Sequence, residues 1–138
     1  MNNCNKPEFS EAQLARMQQI CESYIDNKER LAKLDIRLED CKRLKANAKK
    51  QYDVKLIEEA EKKVIADRKR VWEEVFFFER AMSVIGGRTA LVLTQLYVEQ
   101  QPWDNIGDHE GNLLSSSTIS RERRSGFYKM AEIYYSET

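Results

Sequence analysis

The chain has 138 residues, of which 33% are charged and 9% aromatic, and its acidic and basic side chains are equal in number. This composition suits long solvated helices, and the length fits one compact domain with an extended element. No apolar run approaches the roughly 18 residues that a membrane span needs. The first residues lack an apolar signal region, so we expect a cytoplasmic protein that does not contact a membrane. The three cysteines have neither zinc-site nor CxxC spacing, so we expect reduced thiols, no metal and no other cofactor.

Residues 8–85 are predicted to form a long helical region behind a flexible tail of residues 1–7. Neither Gly nor Pro occurs from Glu8 to Ile85, so nothing forces a helix to stop. Ser10 and Gln13 have the spacing of a capping box that begins the first helix. Two series of apolar residues, each at nearly heptad spacing, then predict coiled-coil packing. The first series is Leu14, Met17, Cys21, Tyr24, Leu31, Leu34, Leu38, Cys41 and Leu44, and the second is Ile57, Ala60, Val64, Val71, Val75, Phe78, Met82 and Ile85.

The polar, basic segment 45–54 separates the two apolar series. A turn there would fold the region into an antiparallel helical hairpin, which we prefer. Without the turn, one continuous helix would need a partner chain along its whole seam. Either form buries little apolar surface alone, so we expect a homodimer through the coiled coil. The basic side chains of segment 42–70 could be a solvated face, or they could contact a phosphate backbone such as that of DNA.

Residues 86–138 are predicted to form a helix-turn-helix domain. Gly86 and Gly87 end the long helix, and part of the bulky cluster between Val71 and Met82 is expected to pack on the C-terminal helices. A helix over 88–99 is followed by a short helix from Pro102 to about Asp108, with Trp103 and Ile106 pointing inward. The last helix spans about Ser116 to Tyr134, with Ser115 as its N-cap. The whole chain is therefore predicted to be all-α.

The last helix separates its residues into two faces. If Ile119 points inward, Gly126, Phe127, Met130 and Ile133 lie on the same side at 100° per residue. An ordinary amphipathic helix also turns polar groups outward, but it does not require an outward face without an acid. Hydroxyls and arginines suit phosphates and base edges, and the helix N-terminus adds free N–H groups. The predicted DNA-binding residues are Ser115, Ser116, Ser117, Ser120, Arg121, Arg124 and Tyr128.

The stretches Leu96–Gly107 and Leu114–Arg121 resemble the helix-turn-helix of sigma-70 region 4 in bacterial sigma factors. Behind a long coiled coil, this pattern is similar to phage transcription regulators of the ArpU and RinA kind. The resemblance implies a phage- or prophage-encoded regulator that binds double-stranded DNA in a bacterial host cell. Two features depart from the family: the turn Gly107–Leu113 is longer than usual, and Glu122 stands at a position that is normally apolar.

The sequence offers no catalytic constellation, so we do not expect an enzyme. His109 lies between Asp108 and Glu110 without a second ligand cluster, which indicates a solvated turn histidine. The run Ser115–Ser117 lacks a nucleophile elbow and a positioned base, and no phosphate-binding loop occurs. The first hypothesis is therefore a sequence-specific DNA-binding transcription regulator. The alternative is an interaction protein that binds RNA polymerase or another helical partner with little direct DNA contact.

Overall fold

The computed structural model describes residues 8–136, which contain five α-helices and one 3-10 turn. The helices are α1 (Glu11–Glu22), α2 (Tyr24–Asn47), α3 (Gln51–Ile85), α4 (Gly87–Tyr97) and α5 (Ser116–Ser136), and the 3-10 turn is Trp103–Asn105. In this part of the chain the only β pairing is an isolated antiparallel bridge between Gly107 and Leu113. The prediction of an all-α chain is confirmed. None of the described helices has an apolar stretch that is long enough to cross a membrane. The predicted tail, residues 1–7, lies outside the described residues.

The first helix begins at the predicted capping box. Ser10 Oγ accepts the backbone N–H of Gln13 at 3.1 Å, and Gln13 Oε1 accepts the backbone N–H of Ser10 at 2.8 Å. The helix was expected to continue without interruption, but α1 ends at Glu22 and α2 resumes at Tyr24. Ser23 between them keeps a near-helical backbone (φ −90°, ψ −4°), and its N–H still bonds Gln19 O at 2.9 Å. The break is therefore a local irregularity that needs neither Gly nor Pro.

Backbone contacts divide the chain into two units. The first, here called the helix-pair unit, is Asp26–Phe76; the second, the terminal unit, combines the described residues up to Ile25 with those from Phe77 onward. The predicted boundary at residue 86 differs from this division, because α1 and the end of α3 belong to the same unit as α4 and α5. α1 carries its own buried apolar residues, Met17, Ile20 and Cys21. These side chains need an apolar partner, which the terminal unit provides.

In the helix-pair unit, α2 and α3 run antiparallel. The chain leaves the helix at 48–50, within the polar segment where a turn was predicted. Lys45 Nζ lies 3.0 Å from Glu61 Oε1, Arg68 pairs with Asp35, and Asn27 Nδ2 donates to Glu74 Oε1 at 3.4 Å. Later residues of α2 thus contact earlier residues of α3. The large apolar side chains buried in this unit are Leu34, Val64, Val71 and Val75.

The terminal unit contains the main apolar core. Its fully buried side chains include Met17, Ile20, Cys21, Phe78, Val92, Leu93, Ile106, Ile119 and Met130. The Cys21 thiol donates to Met130 Sδ at 3.6 Å, which joins α1 to α5. Burial raises the pKa of Cys21 to about 12, so the thiol stays protonated at neutral pH. Cys21 is therefore a core residue, as its position in the apolar series predicted.

Close packing of α4 on α5 fixes the orientation of the last helix. A Cβ added at Gly126 would lie 2.5 Å from Leu93 Cδ1 and 3.2 Å from Thr89 Cγ2. The two helices can therefore come this close because Gly126 has no side chain. The end of α3 also packs on α5, because the Phe77 and Tyr134 rings meet edge to face at 5.1 Å. The expectation that the bulky cluster packs partly on the C-terminal helices is confirmed for Phe77.

Gly86 ends α3 with a positive φ of 59°, a conformation that favours glycine. The predicted helix end at Gly86 is therefore confirmed. The next helix, α4, begins one residue later, at Gly87.

Candidate nucleic-acid interface

The start of α5 is capped by Ser115, as the sequence predicted. Its Oγ accepts the backbone N–H of Thr118 at 3.2 Å, and its hydroxyl donates to Thr118 Oγ1 at 2.8 Å. The hydroxyl oxygen of Ser117 lies 3.3 Å from Ser115 Oγ. The Ser115 side chain therefore caps α5, and these hydrogen bonds hold the exposed N-terminal turn of the helix in position.

Trp103 does not lie in the core, and that prediction is wrong. The short helix predicted over 102–108 is only the 3-10 turn Trp103–Asn105. Ile106 just beyond it is completely buried, whereas Trp103 is 36% exposed. Trp103 Nε1–H donates to Ser116 Oγ at 3.1 Å, so the indole lies at the first turn of α5. Ile106 lies beyond the turn in extended backbone (φ −77°, ψ 125°), so the two side chains do not share the face of one helix.

Five of the predicted DNA-binding residues are exposed on α5: Ser116, Ser117, Ser120, Arg121 and Arg124. We call the last four the reading face. They line one open groove of about 740 Å³. Arg121 Nη2 donates weakly to Thr118 Oγ1 at 3.4 Å, which directs its guanidinium along the helix. The expected inward stripe is confirmed for Ile119, Gly126, Phe127 and Met130, which are buried, whereas Ile133 is half-buried.

The opposite wall of this groove is α1, a position that no sequence pattern predicted. Glu11, Leu14, Ala15 and Gln18 contribute that wall. No local pattern marks a contact between helices about 100 residues apart. The apolar series through Leu14, Met17 and Cys21 does show that α1 needs a partner, but it does not say which one.

Tyr128 is half-buried and less accessible than the reading face. The ring of Phe9 meets it edge to face with centroids 5.1 Å apart, and Phe9 also lies 5.9 Å from the Tyr135 ring. Phe9, two residues before α1, therefore holds part of the outward side of α5. Tyr128 lies next to the reading face, where it supports the helix through Phe9.

Arg123 lines the groove but is engaged within the protein. Its Nε–H donates to Tyr97 Oη at 2.7 Å, and its guanidinium lies 5.1 Å from the centre of the Phe127 ring. It was not among the predicted DNA-binding residues. Its two contacts make it a link between α5 and α4.

Glu122 is an acid at a position that the sigma-like resemblance predicts to be apolar, and hydrogen bonds to α4 accommodate it. Its carboxylate accepts the Thr89 hydroxyl at 2.7 Å and Arg88 Nε–H at 2.6 Å. The hydrogen bond from Thr89, together with the charge of Arg88, lowers the pKa of Glu122 below its ordinary value. Glu122 thus faces α4, on the side of α5 away from the reading face, and fastens the two helices together.

The long turn between the 3-10 turn and α5 is well ordered by hydrogen bonds. Gln95 of α4 binds both backbone groups of Gly107: its Nε2 donates to Gly107 O at 2.7 Å, and its Oε1 accepts Gly107 N–H at 3.0 Å. Asp108 Oδ1 accepts the N–H groups of Glu110 and Asn112, each at 2.9 Å. The bond from Asn112 is the main reason that the pKa of Asp108 is lowered. The extra residues of the turn therefore form a small closed loop, with His109 exposed on it.

The chemistry of the groove is that of anion recognition beside an apolar strip. Three arginines and two serine hydroxyls face a single carboxylate, Glu11, and Leu14 and Phe127 provide apolar surface. Guanidinium groups bind phosphate oxygens and guanine edges through paired N–H donors, and the hydroxyls can donate or accept. In residues 8–136, no three His, Cys, Asp or Glu side chains are placed to hold a metal ion.

Comparison with protein-family models, curated proteins and solved structures finds no match for this chain. The resemblance to sigma-70 region 4 and to the ArpU and RinA regulators stays a prediction from the motif residues.

Proposed function

We propose that this chain is a sequence-specific DNA-binding transcription regulator, encoded by a phage or prophage, that acts in the cytoplasm of a bacterial host. In this proposal the fold is a helical hairpin followed by a helix-turn-helix of the sigma-70 region 4 type. The protein is not an enzyme and works as a homodimer. The observation that carries the proposal is the reading face, since two arginines and two serines lie exposed together on one helix.

The reading face would bind in the major groove of double-stranded DNA. Arg121 and Arg124 would pair with guanine edges or phosphates, and Ser117 and Ser120 would contact neighbouring bases or phosphates. The backbone N–H groups near Ser116 and the helix dipole would favour a phosphate at the start of α5. Dimerisation would place two such helices on two half-sites.

The contacts of α5 support this role because they keep its position fixed. Glu122 binds α4, Gln95 holds the turn before the helix, and Phe9 packs on Tyr128. A recognition helix that is held from three directions loses little conformational freedom when it binds DNA. The side chains that do this anchoring differ from the four of the reading face.

Single arginine variants test the proposal. Sites bound by the full chain are first selected from random double-stranded DNA, and affinities are then measured for Arg121→Ala and Arg124→Ala. Each variant should lose about 1–3 kcal/mol on the selected site if its arginine reads a base. Arg37→Ala, which removes an exposed arginine of α2, is the matched control and should bind like the wild type. Wild-type affinity in both α5 variants would overturn the proposal.

The second candidate is an interaction protein that binds RNA polymerase or another helical partner. The apolar strip of Leu14, Ala15 and Phe127 within the groove favours it, since a pure phosphate-binding surface has no need of apolar lining. This alternative predicts that Leu14→Ala weakens partner binding and that DNA affinity is slight. Polymerase captured by the full chain, with no selected DNA site, would support the alternative over the first proposal.

A further inference from the structure

A second stripe, made of three large apolar residues and one lysine, runs along α3 beside the seam that faces α2. Its members Ile65, Lys69, Trp72 and Phe76 follow one another at steps of four, three and four; we call them the α3 stripe. Ile65 is 50% exposed, Trp72 42% and Phe76 44%. The Trp72 and Phe76 rings stack with centroids 4.9 Å apart, so the pair presents one flat aromatic surface.

Three members of the α3 stripe, Ile65, Lys69 and Trp72, border a shallow cavity of about 440 Å³, to which Leu38 of α2 and Arg68 also contribute. All of these residues belong to the helix-pair unit. The seam between α2 and α3 uses other positions, since Val64, Val71 and Val75 are buried there. A helix with two neighbouring heptad seams is typical of bundles in which it packs on more than one helix.

The helix-pair unit leaves much of its large apolar surface uncovered. Ile36, Leu44, Tyr52 and Leu56 are exposed in addition to the α3 stripe, whereas the buried core of the unit consists of one leucine and three valines. A two-helix unit with so small a core gains stability when a partner covers an apolar face. Within the helix-pair unit, the α3 stripe is the surface that carries two stacked and exposed aromatic side chains.

We propose that the α3 stripe packs antiparallel against the α3 stripe of a second copy of this chain. A two-fold axis between Arg70 and Val71 would place Ile65 on the second copy's Phe76 and Lys69 on the second copy's Trp72. The ammonium group of Lys69 then lies against an indole face, where a cation is attracted by the ring. It also lies near the second copy's Glu73, which is exposed on the same side of α3.

Charge complementarity indicates that the partner is a second copy of this chain and that the two α3 helices run antiparallel. The stripe carries its own cation and, beside it, its own acid, so the patch is complementary to itself under a two-fold axis. A parallel, in-register pairing would put Lys69 at the level of the second copy's Lys69, where like charges repel. This inference rests on the dimer expected in the proposed function, but it is independent of DNA binding.

The first test is sedimentation velocity of the full chain without DNA, over a range of protein concentrations. The wild type should change from monomer to dimer as concentration rises, and Trp72→Ala should raise the dissociation constant about tenfold or more. Ile36→Ala, which truncates another exposed apolar side chain of the same unit, is the matched control and should dimerise normally. Circular dichroism identifies any variant that has lost helix. A wild type that stays monomeric, or equal weakening by both variants, would overturn the inference.

The direction of pairing is tested by exchanging charges. Lys69→Glu and Glu73→Lys should each weaken the dimer roughly fivefold, because each places like charges together across the interface. The combination of both substitutions rebuilds the ion pair with the charges exchanged, so it should dimerise more tightly than either single variant, although it lacks the Lys69 contact with the Trp72 ring. A combined variant that dimerises no better than the single variants would contradict the antiparallel arrangement. Because no DNA is present, failure of DNA binding leaves these results unaffected. A monomeric protein that still binds DNA would refute the dimer and its interface, but not the proposed DNA-binding role of α5.

Discussion

At the scale of single residues, the acid inside α5 illustrates how anchoring and exposure are divided along one helix. Glu122 is only 14% exposed in its side chain and pairs with Arg88, whose side chain is 49% exposed. Arg123 turns to Tyr97, and only Arg121 and Arg124 of this basic cluster remain exposed. Neighbouring charged residues therefore differ in role: Glu122 and Arg123 contact α4, whereas Arg121 and Arg124 face solvent. The difference follows from their angular positions on the helix.

The Glu122 contacts predict a dependence of stability on pH. The folded state holds the pKa of Glu122 below its ordinary value of 4.5, mainly through the Thr89 hydroxyl. The carboxylate therefore stabilises the fold above pH 4.5, and this contribution is lost as pH falls through the lower, folded pKa. Glu122→Gln should reduce the free energy of unfolding at pH 7 by about 1–2 kcal/mol, since it weakens hydrogen bonds to a partly buried acceptor.

Urea unfolding between pH 7 and pH 3 measures this effect. The wild type should lose more stability over that range than Glu122→Gln, because the amide cannot titrate. Glu132→Gln removes an exposed carboxyl from the same helix and should leave the wild-type difference in place. Parallel pH profiles for wild type and Glu122→Gln would show that this carboxylate does not contribute as described.

Local residue chemistry could be predicted from the sequence, whereas the placement of some side chains could not. Ser115 caps α5 and Gly86 ends α3 because each role depends on the residue and its immediate neighbours. Trp103 was expected in the core because it is large and apolar. Its actual position depends on how the chain turns after Pro102, and a single 3-10 turn directs it to Ser116.

At the scale of elements, the turn before α5 determines how the helix is presented. The bridge between Gly107 and Leu113 closes the turn, and Leu114 N–H bonds Ile106 O at 2.9 Å next to it. The positive φ of Gly111, 83°, lies in the region that favours glycine. The greater length of this turn, which sets it apart from the sigma-like pattern, is thus used to form a hydrogen-bonded loop.

Gln95 gives the element-scale prediction. Gln95→Ala would leave the buried backbone N–H and C=O of Gly107 without their amide partner, which should reduce the free energy of unfolding by about 1–3 kcal/mol. Gln101→Ala, at an exposed position of the following loop, should change stability little. Thermal and urea unfolding of both variants provide the comparison. Equal stability of the two variants would show that the Gln95 contacts do not hold the turn.

Helix starts and ends were more predictable than helix partners. The capping box at Ser10 and the polar segment before Gln51 are local signals, and both mark element boundaries in the structure. The break at Ser23 has no such signal, since its backbone remains nearly helical. The position of α1 beside α5 could not be predicted. An apolar face shows that a helix is partly buried, but it does not identify the helix that covers it.

At the scale of the whole molecule, a chain with no net charge concentrates positive charge where the proposed function needs it. The groove beside α5 has three arginines and one glutamate in its lining, although residues 86–138 contain more acidic than basic side chains. The local field governs the contact with DNA, whereas the net charge limits nonspecific attraction. A regulator of this kind should therefore depend strongly on the few cations of its reading face.

The most direct measurement for the central claim is the salt dependence of DNA affinity, followed by fluorescence anisotropy on a selected double-stranded site. The account predicts that the affinity of the full chain falls steeply as salt rises, by a logarithmic slope of about 0.9 for each phosphate neutralised. A combined Arg121→Ala and Arg124→Ala variant should bind more weakly and with a shallower slope. Arg37→Ala should reproduce the wild-type slope. An affinity that does not change with salt, or a slope unaffected by loss of both arginines, would contradict the assignment of α5 as a DNA-reading helix.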